Sequence, residues 1–209
     1  MKAAALILFS AASFAFAYAG ASAQHSTAPV QSGGLETLNE SGKTTVDGRT
    51  ISYLIRRLPA SSFPDLPDAI AEVLDQRGCM IPQTYQAHRP ENVINASLDR
   101  PGSSDWAVLC SAHGNVELLV FFARTANKPM MLASVPELQR LQRHGSSDVL
   151  GFDWGIDSAS PQQVREAQAG MEHRPPPLDH DALADTVLNQ KTLYHFYIHS
   201  AWTVIDMPQ

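Results

Sequence analysis

A predominantly apolar stretch opens the chain, Ala3 to Ala17, behind the lone charge of Lys2 and ahead of the small residues Ala21-Ser22-Ala23. A positive start, a short apolar run and a small-x-small site read as a secretory signal peptide, residues 1–23, with cleavage before Gln24. The run is shorter than the roughly 18 to 20 residues of a transmembrane helix, so the mature chain is expected to carry no transmembrane segment. Residues 24–43 are rich in Ser, Thr, Gly and Gln and read as a flexible leader, leaving 44–209 as a single domain.

Periodic patterning begins at Thr44. Thr44 to Val46 and Thr50 to Ile55 flank Asp47-Gly48, a preferred pair for a tight hairpin turn. Leu66, Ile70, Val73 and Leu74 recur at helical spacing between Pro67 and Gly78, predicting a helix that delivers Cys79 just after its C-terminus. Three β-rich runs follow, Asn92 to Leu98, Asp105 to Ser111 and Val116 to Phe122, separated by turn-like stretches, and they read as an antiparallel meander. The second and third are nearly continuous apolar runs, as in strands covered on both faces. Ser134-Val135-Pro136 and Ser160-Pro161 carry helix-start chemistry, and Asp181 to Leu188 reads as a further short helix. Arg174 to Pro177 reads as an extended connector, and Thr192 to His199 with Trp202 to Ile205 as a closing hairpin. Strands and helices without regular βαβ alternation predict an α+β fold: an antiparallel sheet with a few packed helices.

Composition adds limits. Loss of the signal peptide leaves 186 residues and takes the formal charge from −6 to −7, which disfavours nucleic acid and anionic membrane partners. Cys79 and Cys110 are the whole cysteine complement. In an exported chain, periplasmic or extracellular, such a pair most simply forms one disulfide. The rival reading keeps Cys110 as a nucleophile with His113 as its base.

Catalytic motifs are scarce. Ser41-Gly42-Lys43-Thr44 ends like a phosphate loop, but Thr37 stands where its first glycine belongs. No Gly-x-Ser-x-Gly, His-Glu-x-x-His or Gly-x-Gly-x-x-Gly occurs, so no cofactor is expected. Asp153 and Asp157 lack the ligand alternation of a calcium loop. Trp106, Trp154 and Trp202 sit in apolar runs and read as core, the alternative being a ligand platform. The one metal or acid/base constellation is Asp179, His180 and Asp181 with His195 and His199. On a strand His195, Tyr197 and His199 share a face, but the two imidazoles stand roughly 13 Å apart, wide for a shared metal. The stripe is expected to face solvent, and no metal is assigned.

Gly78-Cys79-Met80-Ile81-Pro82-Gln83, Asn92-Val93-Ile94 and Asp105 to Ser111 together resemble a pattern of uncharacterised exported bacterial proteins, over roughly residues 50–122 with a looser echo in 178–202. The resemblance implies no activity. The resulting expectation is an exported, non-enzymatic binding protein stabilised by one disulfide, its partner an unidentified ligand or envelope protein. The alternatives are a periplasmic metal-dependent hydrolase using the C-terminal His/Asp cluster and a structural envelope component.

Overall fold

The computed structural model describes residues 38–206 apart from 172, 173 and 175. The signal peptide, most of the leader and Pro175 of the connector lie outside the described residues. The first strand, β1 (Leu38–Val46), starts six residues before Thr44, so ordered structure takes in the end of the expected leader. It pairs along its whole length with β2 (Arg49–Leu58) through a two-residue turn in which Asp47 and Gly48 have φ of 50° and 73°. Positive φ at both turn residues matches the strands' right-handed twist, which is why Asp-Gly sits there.

Helix α1 (Asp68–Gln76) follows, and its end is set by Gly78 at φ 67° with Cys79 N–H donating to Leu74 O at 2.9 Å. That six-to-one bond closes a Schellman cap. After β3 (Ile81–Gln83) come the meander strands β4 (Val93–Ala96), β5 (Asp105–Ala112), β6 (Asn115–Phe121) and β7 (Met130–Pro136), paired in that order. Next are β8 (Leu141–Arg143), β9 (Val149–Phe152) and β10 (Trp154–Ala159), then helix α2 (Pro161–Ala167) behind a Ser160/Gln163 capping box. The chain closes with β11 (Ala182–Val187), β12 (Lys191–Ile198) and β13 (Ala201–Asp206).

The described residues therefore form three sheets and two short α-helices, a β-rich fold, which corrects the α+β expectation. The first sheet runs β1-β2-β9-β8 with β3 also on β2, and its β2/β9 pairing is parallel. The second is β4-β5-β6-β7 and the third β10-β11-β12-β13, both antiparallel throughout.

Of the expected helices, the one starting at Ser134 and running through Leu138 and Leu141 shrinks to a 3₁₀ turn, and the one over 181–188 is a strand. Ser134-Val135-Pro136 ends β7, an edge strand, where a proline costs no ladder bond, and only a 3₁₀ turn follows at Glu137–Arg140. Residues 182–187 pair with β10 on one side and β12 on the other, and that two-sided pairing overrides the helix propensity of their Ala and Leu.

The two middle strands of the meander, β5 and β6, are buried on both faces, as their apolar runs predict. Ala107, Leu109, Leu118 and Val120 pack with Ile55, Phe152, Trp154 and Leu183 of the other sheets. Val108, Cys110, Leu119 and Phe121 pack on Ile70 and Leu74 of α1. Cys79 and Cys110 are bonded, with Cα atoms 5.1 Å apart, and tie α1 to the central strand. Cys110 is thereby removed as a nucleophile. Asp105, fully buried, organises the β4–β5 connection: its Oδ2 accepts from Leu98 N, Asp99 N and Ser103 Oγ, and its Oδ1 from Ala123 N.

Candidate functional site

The C-terminal His/Asp cluster does not assemble. His180 is 7% exposed, with Nδ1 2.7 Å from Asp179 Oδ1 and Nε2 donating to Tyr197 O at 2.9 Å. The hydrogen bond from His180 holds the Asp179 carboxyl below its ordinary range. Asp181 is tied elsewhere, exchanging bonds with Ser97: its N–H donates to Ser97 O, and its Oδ2 accepts from Ser97 N. His199 lies beyond β12, in the two-residue turn to β13, at φ 51° and exposed. Among the described residues no group of three or more His, Cys, Asp or Glu side chains is arranged to hold a metal ion.

The two-residue period of β12 holds, but its assignment to solvent does not. Tyr197 packs on the main core, while Phe196, with Tyr194 and Ile198, packs on the cluster beside α2. His195 is consequently 6% exposed, and its Nε2 donates to Asp185 Oδ2 at 3.0 Å. The other oxygen of Asp185 accepts from the indole N–H of Trp154 at 2.6 Å. A buried Trp-Asp-His chain therefore spans β10, β11 and β12. Asp185 was hidden from sequence reasoning inside the segment taken for a helix. An Asp-His pair is the orienting half of an acid/base site, but neither side chain lines the clefts described below, and a buried pair without substrate access works as a satisfied polar brace.

The ring of Trp154 carries a cation. The Arg140 guanidinium lies 4.3 Å from the ring centroid, and Asp153, 3% exposed, immediately precedes Trp154 in the chain. Burial pushes the Asp153 carboxyl up to about 6, against the pull of Arg140.

Access to a ligand is found elsewhere. A cleft of about 500 Å³ lies between the 62–66 segment and strands β4 and β5, lined by Phe63, Pro64, Leu66, Pro90, Val93 and Trp106, with Ser62, Asp65 and Asn95 as polar groups. β5 is buried nearly end to end, and Trp106 is the one large side chain on it left partly open. Of the three tryptophans expected in the core, Trp154 is fully buried, whereas Trp106 and Trp202 are half-buried. Asn95 Nδ2 is committed to Ser104 Oγ and Asp105 O, which leaves its Oδ1 to accept from an incoming group.

A second cleft, about 440 Å³, contains Tyr85 and His144, but those rings stack on each other at 4.4 Å, and Tyr85 Oη accepts from Asn189. Its aromatic faces are already used. Trp106 stacks on no other ring among the described residues.

The chain matches no known protein family, curated protein or solved structure. No helix among the described residues is long and apolar enough to cross a membrane.

Proposed function

We propose that the protein is an exported, non-enzymatic binding protein whose ligand site is the Trp106 cleft. The observation that carries this reading is the half-open indole on an otherwise buried strand, at the wall of a cleft of about 500 Å³. Pockets of this size, mostly apolar with a few placed polar groups, are the usual form of small-ligand sites. Export rests on the signal peptide and fits the buried Cys79–Cys110 bridge, since disulfides persist in oxidising compartments.

The lining defines the ligand's chemistry. Phe63, Leu66, Val93, Trp106 and two prolines take an aromatic or aliphatic body, while Asn95 Oδ1 and the Asp65 carboxylate accept hydrogen bonds. Asp65 and the net negative chain repel anions, so the ligand is neutral or cationic. A charge series of one scaffold tests this: 2-phenylethylamine, 2-phenylethanol and phenylacetate, titrated into the mature chain and followed by amide and indole NMR shifts. Saturable shifts centred on Trp106, Val93 and Leu66, strongest for the amine and weakest for the acid, are expected. Absence of saturation for all three, or shifts elsewhere on the surface, would overturn the assignment.

A purely structural envelope role would call for a contiguous apolar face. The exposed large apolar side chains instead divide among the three sheets, Leu54 and Val149 on the first, Met130 and Met131 on the second and Val204 on the third.

A further inference from the structure

Asp153 occupies a joint. The chain leaves the first sheet at Phe152, enters the third at Trp154, and Asp153 alone lies between them. Its backbone is pinned on both sides, the N–H donating to Arg140 O at 3.0 Å and the carbonyl accepting from Leu188 N at 2.9 Å. Its side chain is left unsatisfied at one atom: Oδ1 is buried without a hydrogen-bond partner. Arg140 Nε, across the same backbone bond, is likewise buried without a partner, while its guanidinium rests on the Trp154 ring. An acceptor and a donor that would satisfy each other thus stand at one joint unjoined.

We propose that Asp153 and Arg140 form a proton-controlled latch at the joint between the first and third sheets. With Asp153 neutral, Arg140 stays on the indole. With Asp153 ionised, an uncompensated carboxylate in a buried site is costly, and the guanidinium turns from Trp154 to pair with it. Arg140 is the charged group facing Asp153 from the β8 side. From the third sheet, Asp185 on β11 accepts from the N–H of the same indole, and His195 on β12 pairs with Asp185. Phe152 and Trp154, its chain neighbours, carry no charge.

The direction of the pH effect follows from burial. The folded carboxyl holds its proton to about 6, above its ordinary value of 3.8, so Asp153's contribution to stability is full below pH 3.8 and is lost as pH rises through about 6. The latch does not rest on a ligand at the Trp106 cleft.

The test follows the Asp153 side-chain carboxyl by carbon NMR and the Trp154 indole N–H by nitrogen NMR, from pH 4 to 8 in the whole mature chain. Both signals are expected to titrate together with a midpoint of about 6. Asp153→Asn should abolish the indole transition. Arg140→Gln, which removes the charge favouring the carboxylate, should move the Asp153 midpoint upward, and it serves equally if Asp153→Asn fails to fold. An Asp153 midpoint near 3.8 would overturn the latch. So would an indole transition that survives Asp153→Asn, which would assign it to the Asp185–His195 pair, or an Asp153 midpoint unmoved by Arg140→Gln.

Discussion

Opening the Cys79–Cys110 bridge has a consequence that can be worked from its place in the fold. The cysteines are 31 residues apart, so the bond closes a loop whose entropy in the unfolded chain is worth about 3 to 4 kcal/mol. For a domain of this size that corresponds to roughly 6 to 16 °C in Tm. Both cysteines are nearly fully buried in the cluster with Ile70, Leu74, Val108 and Phe121, so reductant added to the folded protein reaches them only on opening. The comparison is therefore between the oxidised chain, the chain reduced in denaturant and refolded as thiols, and Cys79→Ala/Cys110→Ala. The reduced chain loses the loop constraint alone. The alanine pair also loses two packed sulfurs, so thermal unfolding should rank oxidised above reduced above alanine pair. A reduced chain melting within about 2 °C of the oxidised one would refute the loop-entropy argument. Two reactive thiols in the denatured, unreduced chain would refute the bridge itself.

Asp105→Asn leaves an amide where a carboxylate takes four donors, setting a donor against at least one of them; urea unfolding should show a loss of about 2 to 3 kcal/mol, and a change below about 0.5 would contradict its organising role. His195→Ala removes the partner of a buried Asp185 oxygen and should cost about 2 to 3 kcal/mol, while His199→Ala, in an exposed turn, should stay within about 0.5; equal effects would put His195 back on a solvent-facing stripe. The Asp179 carboxyl should titrate by carbon NMR below 3.8, and its pairing with His180 contributes stability above that pH which is lost as pH falls through the lowered midpoint; His180→Ala should return the midpoint to the ordinary value, and no shift between the two chains would contradict the pairing.

Local chemistry was legible wherever one short stretch decides the outcome. Asp47-Gly48 announces its hairpin because few other pairs tolerate two positive φ values, and Gly78 ends α1 for a related reason. Two cysteines behind a signal peptide leave one pairing to form. The period of β12 was equally readable, since a strand must alternate. Which layer covers each face depends on segments far away in sequence, and for that reason His195 was placed outside when it lies inside. The same limit hid Asp185 in a run of Ala and Leu that favours a helix until β10 and β12 flank it. It also leaves Trp106 between core and ligand platform, because an apolar run does not say which of its members the neighbouring 62–66 segment leaves open.

Calorimetric titration of 2-phenylethylamine into the mature chain and into Trp106→Ala, with matched thermal unfolding as the check on folding, tests the central claim most directly. Loss of an aromatic platform worth about 1.5 kcal/mol or more predicts at least a roughly tenfold weaker Kd in the variant, with its fold intact. Equal affinity in the two chains, or no saturable binding to either, would contradict a ligand site at Trp106.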